Sequence, residues 1–322
     1  MVTTRLYRDG SIVKEDFPVA DISEHLIEKG CTIWADFVSP SEQDLADIEE
    51  ELGLHKLAVE DALHSFQRPK LDRYDTHLFL AAYAVKLNTT TGALDATEVK
   101  AFITPHALIT VHEPDFDMAA VVERWNRDSD LASHGVAYLL WGLLDHIVDG
   151  HFDTVQQLDG EIESLEDALF DELPRDKEVQ KRSFELRKSL VRLRRVVLPM
   201  REVVNTVLRR DLDTIDPAMM PYFQDVYDHV LRATEWTESL RDLVTTILET
   251  NISIQGNRMN MIMKKVTSWA AIIAVPTAIT GFFGQNLAFL GFATGWGVWM
   301  SIGLIAVASV ALYLGFKKWD WI

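Results

Sequence analysis

Residues 266–316 read VTSWAAIIAVPTAITGFFGQNLAFLGFATGWGVWMSIGLIAVASVALYLGF, 51 positions without an Asp, Glu, Lys, Arg or His. Lys264-Lys265 precede them and Lys317-Lys318 follow. A spanning helix needs about 20 predominantly apolar residues, so the stretch holds two spans and a short connector. The connector falls at Gly284-Gln285-Asn286-Leu287 and at Gly291, Gly295 and Gly297. Basic pairs at both outer ends, with an uncharged connector, put both ends on the cytoplasmic side by the positive-inside rule. The expected architecture is an α+β cytoplasmic domain, a long helical stalk and two C-terminal transmembrane helices.

Charge is distributed unevenly. The 322 residues carry a net charge of −18, yet residues 264–322 contain four Lys and one Asp. Residues 1–263 therefore hold 27 basic and 48 acidic side chains, a net of −21. Such a surface does not suit nucleic acid; it either stays solvated or attracts cations. Cys31 is the only cysteine, which excludes an intrachain disulfide and a Cys-rich zinc site. Residues 1–20 lack the apolar core of a signal peptide.

The N-terminal part alternates strand and helix signals. Arg5 to Val13 reads as a hairpin turning at Asp9-Gly10. CTIWADFV, residues 31–38, is strand-like, and Ser39-Pro40-Ser41-Glu42 then starts a helix with a Ser cap and Pro in its first turn. Residues 77–86 and 99–111 are rich in strand formers, with 88–92 (NTTTG) as a turn between, and helical periodicity takes over after Pro114. Ser133 to Glu172 reads as one long helix ended by Pro174. Its far end, residues 159–172, holds seven carboxylates, whereas the next helix carries Lys181, Arg182, Arg187, Lys188, Arg192, Arg194, Arg195 and Arg201. Laid antiparallel, the two bring opposite charges together. The expected boundaries are an α/β domain over 1–132, antiparallel long helices over 133–216, and a stalk helix over 217–283 that continues into the first span. An external loop at 284–296, a second span at 297–316 and a cytoplasmic tail at 317–322 complete the chain.

The third long helix carries two patterns. Val226, Ala233, Leu240, Ile247, Ile254 and Met261 recur every seventh residue, a coiled-coil or bundle seam leading into the first span. From Tyr222 to Val275 the chain has no proline and Gly256 is the only glycine, so one continuous helix is expected there, before Pro276. A second line reads Glu249, Ser253, Gly256, Asn260, Met263, Thr267, Ala270, Ala274, Thr277 and Gly281. All but Met263 are small or polar. Small residues also serve close helix packing; Asn260 and Glu249 on the same line point instead to a polar path. Two spans cannot enclose water, so a pore requires several copies around an axis. Amide, hydroxyl and carbonyl oxygens are hard, neutral ligands suited to Mg²⁺, which surrenders its water reluctantly.

Four segments together resemble the CorA family of divalent-cation channels over nearly the whole chain. They are Val59-Glu60-Asp61 running to Gln67-Arg68-Pro69-Lys70; Pro221 to His229 (PYFQDVYDH); Asn257-Arg258-Met259-Asn260 with Met263-Lys264; and Ala274-Val275-Pro276-Thr277 leading to Gly284-Gln285-Asn286. The resemblance implies a homopentameric channel whose first span lines the pore, with Mg²⁺ as permeant ion and Co²⁺ or Ni²⁺ as further ones. It implies an outer selectivity ring of Asn286 with Gly284 and Gln285, an inner polar ring of Asn260, and a constriction at Met263 and Val266. Thr267, Ala270, Ala274, Thr277, Gly281 and Glu249 would line the path. Asp61 and Asp225, with Glu60 beside the first, match acidic positions that bind regulatory Mg²⁺ between subunits. Two departures stand out: the family's Gly-Met-Asn is Gly-Gln-Asn here, and the loop from Leu287 to Gly291 carries no acid.

The expected function is a Mg²⁺-gated Mg²⁺ channel of the cell membrane, not an enzyme; the alternatives are a Zn²⁺ transporter of the same family and a non-conducting, membrane-anchored Mg²⁺ sensor. His146, Asp149 and His151 form a weaker candidate metal group, and His229 reads as a surface or interface residue. No phosphate-binding glycine loop, His-Glu-x-x-His motif or nucleophile elbow occurs, which leaves an ATP-driven pump without support.

Overall fold

The computed structural model describes residues 2–28, 30–64, 67–169, 176–209, 215–285 and 295–322. The first part of the chain runs β1 (Val2–Arg8), β2 (Ser11–Glu15), α1 (Ile22–Leu26), β3 (Cys31–Val38), α2 (Glu42–Leu52), α3 (Lys56–Leu63), β4 (Lys70–Arg73), β5 (Leu78–Asn88), β6 (Ala93–Ile103) and β7 (Ala107–His112). The helices α4 (Met118–Arg127), α5 (Val136–Leu169), α6 (Asp176–Leu208), α7 (Met220–Phe283) and α8 (Gly295–Lys318) follow. These residues make two compact units, Met1–Ile247 and Leu248–Ile322.

The first unit is built on one seven-stranded sheet, ordered β2-β1-β3-β7-β6-β5-β4. Only β3 and β7 pair in parallel. The β1–β2 hairpin turns where expected, at Asp9 and Gly10, with φ of 49° and 81°; two positive φ values match the right-handed twist of the strands. Residues 99–111, expected as one strand, are two. Pro105 cannot donate to a ladder, and Thr104 closes the turn by accepting from the Ala107 N–H at 2.9 Å. The helix after β3 is capped by Ser41, not Ser39. Ser41 accepts from Asp44 N–H (3.2 Å) while Asp44 accepts from Ser41 N–H (2.8 Å), a capping box. Pro40 therefore precedes the cap, and Ser39, at φ 47°, gives its hydroxyl to Glu113 instead.

Both faces of the sheet are covered, which is why β3, β5 and β7 read as almost continuous apolar runs. On one face Ile33, Phe37, Phe79, Phe102 and Ile109 pack against Ile22, Leu45, Ile48 and Val59 from α1, α2 and α3. On the other, Trp34, Leu80, Val99 and Leu108 meet Trp125, Leu140, Leu144, Val204 and Phe223 from α4 to α7. Gly142 of α5 admits the Trp125 indole, whose N–H donates to the Leu139 carbonyl at 3.1 Å. The charge complementarity of α5 and α6 comes down, among the described residues, to one pair, Arg182 with Glu161. Other α6 cations turn elsewhere: Arg194 reaches Glu238 of α7 at 3.2 Å.

The heptad seam of α7 is buried from Val226 through Ala233 and Leu240 to Ile247, at 0–3% exposure. Beyond that point it opens, and Met261 is 44% exposed. The helix runs on through Pro276 to Phe283. Proline removes one hydrogen bond to the carbonyl four residues back, and spans tolerate this when hydroxyls and neighbours re-satisfy the backbone. Thr280 donates to the Pro276 carbonyl at 2.9 Å and Thr277 to the Ile273 carbonyl at 3.2 Å; the carbonyl that Pro276 itself leaves without its helical donor is that of Ile272, which neither of these bonds reaches.

Candidate ion pathway and cation-binding residues

The second unit holds the end of α7 together with α8, both long and apolar enough to cross a membrane. Burial along α7 separates its faces. Ser268 is fully buried, and Ile272, Val275, Ile279 and Phe283 are half-covered. On α8 the covered positions include Gly297, Ser301, Ile305, Ala308 and Leu312, a line with small residues that let helices approach closely. At 3.6 residues per turn, the small and polar line of α7 lies nearly opposite its covered face. Glu249, Asn260, Met263, Thr267, Ala270, Ala274, Thr277 and Gly281 are all exposed, and so is Val266. A seam made for α8 would be covered; this one is bare.

The chemistry of the bare line is that of an oxygen acceptor. Thr277 spends its hydroxyl proton on the Ile273 carbonyl, which leaves its oxygen lone pairs to accept. Near the end of the helix Gly284 N–H donates to the Thr280 carbonyl at 2.9 Å, and Gln285 N–H to the Phe282 carbonyl at 3.2 Å. Gln285 is exposed. Asn286 lies outside the described residues.

The acidic candidates stand differently. Glu60 and Asp61 lie on α3, whose start is capped by His55 Nδ1 accepting from Leu57 N–H at 3.2 Å. Its end is held by Lys100 of β6, whose Nζ donates to the carbonyls of Ala62 (2.9 Å) and His64 (2.8 Å); a cation at a helix C-terminus complements the exposed carbonyls. Glu60 is exposed. Asp61 is not a bare carboxylate. Lys70 Nζ sits 2.6 Å from its Oδ2 and Gln67 Nε2 donates to its Oδ1 at 2.9 Å. Lys70 also meets Asp72 at 2.7 Å. Asp225 on α7 is exposed, and no hydrogen bond or ion pair reaches it among the described residues.

The His146, Asp149 and His151 group does not assemble. His151 is fully buried and its Nε2 lies 2.7 Å from the Tyr83 carbonyl, with burial pushing its pKa down to about 4. The residues that do come together are Asp145, Asp149 and His229. Asp145 and Asp149 are four apart and share a face of α5, a spacing visible in the sequence. His229 Nδ1 is 3.6 Å from Asp149. This cluster already holds a cation, because Arg124 pairs with Asp145 and reaches Asp149 at 2.6 Å.

The family model described as CorA-like Mg²⁺ transporter protein matches residues 30–318 of this chain. The chain belongs to the CorA family. It is 30% identical over 279 residues to the cobalt/magnesium transport protein CorA of Thermotoga maritima, covering 85% of this chain and 79% of that protein. The complete CorA magnesium transporter of Methanocaldococcus jannaschii superposes with a TM-score of 0.81 at 23% identity, covering 100% of this chain and 99% of that one. The cytoplasmic domain of ZntB from Vibrio parahaemolyticus is a more distant likeness, with a TM-score of 0.53 at 16% identity over 71% of this chain and 88% of that one. CorA proteins are divalent-cation transporters, not enzymes, and Mg²⁺ is the ion they carry. The fold here, an N-terminal α/β unit, a long helix and two C-terminal apolar helices, is the CorA fold.

Proposed function

We propose that this chain forms a homopentameric channel for Mg²⁺, passing Co²⁺ or Ni²⁺ as well, in the cell membrane with both termini in the cytoplasm. The observation that carries the reading is the bare face of α7. A row of small and polar residues with its oxygens unclaimed, opposite the face turned to α8, is what a helix lining a shared water-filled axis requires. Asn260 would form a polar ring, and Met263 and Val266, 56% and 59% exposed in one chain, would close the path as an apolar constriction. Asn286 amides, with Gly284 and Gln285 beside them, would accept hydrogen bonds from the waters of a hydrated cation without stripping them. Glu249 would draw cations toward the path.

In this reading Asp225, and Asp61 with Glu60, hold cytoplasmic Mg²⁺ between subunits. At high Mg²⁺ the bridged carboxylates keep the constriction closed; at low Mg²⁺ they repel and loosen the long helices. Asp61 enters such a bridge by exchanging Lys70 for the ion.

Ion entry into liposomes containing the purified protein tests this. Mg²⁺ enters with the parent protein, and Asn286→Ala abolishes the flux while Gln285→Met keeps it and changes ion preference. Full Mg²⁺ flux in Asn286→Ala refutes the ring. Zn²⁺ flux with none of Mg²⁺ in the parent assigns the chain to zinc transport, and no flux of either ion leaves a membrane-anchored sensor.

A further inference from the structure

The end of the chain is a built feature. Trp321 N–H donates to the Phe316 carbonyl at 2.9 Å, and Asp320 N–H to the Lys317 carbonyl at 3.3 Å. These are the two hydrogen bonds of a Schellman motif closing α8. Asp320 takes the left-handed position, φ 53°, that such motifs usually give to glycine. The apolar contact that accompanies the motif is also present, since Trp321 stacks on Phe316 with centroids 5.7 Å apart and planes 19° apart. Thus oriented, the indole faces Lys264 of α7, whose Nζ is 6.0 Å from the ring centroid. One cleft of about 450 Å³ is lined by Trp321 and Lys264 together with Asn260, Met263 and Thr267.

Lys264 occupies a particular place on α7. By helical phase it falls between the bare line and the face covered by α8, and with Lys265 it makes the last pair of charges before a span with none. A cation–π contact is strongest where the ammonium is poorly hydrated, and tryptophan favours the membrane–water boundary. We propose that Trp321 is a positioning residue: through Lys264 it holds the adjoining end of the α7 span against α8, and so sets the spacing of Asn260 and Met263. Its bearing on ion flow rests on the channel reading; the contact itself does not.

The test uses the full chain in liposomes, in a Cys31→Ser background with Ser268→Cys. Position 268 is fully buried on the covered face of α7, so its reaction with N-ethylmaleimide reports separation of the two helices. Trp321→Ala should raise the labelling rate roughly three- to tenfold. Trp321→Tyr should restore most of the protection, and Asp320→Gly should leave it intact, because glycine takes the left-handed turn without strain. An unchanged rate in Trp321→Ala, or no rescue by Tyr, overturns the proposal. Mg²⁺ flux in the parent with unchanged labelling removes the clamp and keeps the channel. Labelling that responds in a parent without flux keeps the clamp and removes the channel.

Discussion

Lys70→Gln should make the protein bind Mg²⁺ more tightly. The Lys70 ammonium now occupies the Asp61 carboxylate at 2.6 Å and also meets Asp72 at 2.7 Å. Partial burial pulls its pKa down, but hydrogen bonds and charge from Asp61 and Asp72 outweigh that and raise it, so the competitor stays protonated. A divalent ion on Asp61 would stand about 5 Å from this ammonium. With full solvent screening the repulsion is about 1.7 kcal/mol, a floor for a side chain that is 27% exposed. One hydrogen bond from the Gln amide, about 1 kcal/mol, remains, which brings the expected gain to about threefold in affinity. The assay is thermal unfolding of the detergent-solubilised protein over a Mg²⁺ titration at fixed ionic strength, since ligand that binds only the folded assembly raises its melting temperature. Lys70→Gln should move the midpoint of that rise about threefold lower, and adding Asp61→Asn should move it back above the parent's. A midpoint that does not move in Lys70→Gln, or a rise that ignores Asp61→Asn, would refute the idea that lysine and Mg²⁺ compete for one carboxylate.

Two further outcomes concern the first unit. A methyl group at Gly142 would overlap the buried Trp125 indole, so Gly142→Ala should destabilise by about 1–2 kcal/mol, overpacking outweighing the helix propensity gained; denaturant unfolding showing a more stable variant would contradict this. His112 Nε2 lies 3.2 Å from Asp36 in the buried β3–β7 pair; burial pulls the imidazole down, but the hydrogen bond and charge of Asp36 raise its pKa above 6.5. Because the folded value exceeds the unfolded one, the pair's stabilisation is full below pH 6.5 or so and is lost as pH rises through the raised value. The stability gap between the parent and Asp36→Asn should therefore narrow as pH rises through that window, and a gap that widens would exclude the pairing.

The membrane half was legible because charge is forbidden there: 51 uncharged positions between lysine pairs admit few readings. The two lines on α7 were legible for a similar reason, since helical phase fixes which residues share a face before any contact is known. Partners were not legible. That Lys70 neutralises Asp61 depends on β4 lying beside α3, and that Arg124 fills the space between Asp145 and Asp149 depends on how α4 crosses α5. The metal group at 146, 149 and 151 failed on phase: His151 points into the sheet, while residues 145 and 149 share the face turned to Arg124 of α4. Pro105 falls at the break between β6 and β7, whereas α7 passes through Pro276. What differs is the setting: at Thr104 the hydroxyl accepts from the Ala107 N–H and closes a turn, whereas α7 continues past one missing bond.

Lys100 has a mechanical meaning. Its ammonium fastens the last turn of α3 to β6, a strand paired on both sides within the sheet. The turn that carries Glu60 and Asp61 thus has no slack. A ligand pulling on Asp61 cannot merely reshape a loop and dissipate its pull there; it must drag α3, and α3 drags the sheet. A pull applied at this carboxylate is passed to β6 through the Lys100 hydrogen bonds as well as along the chain.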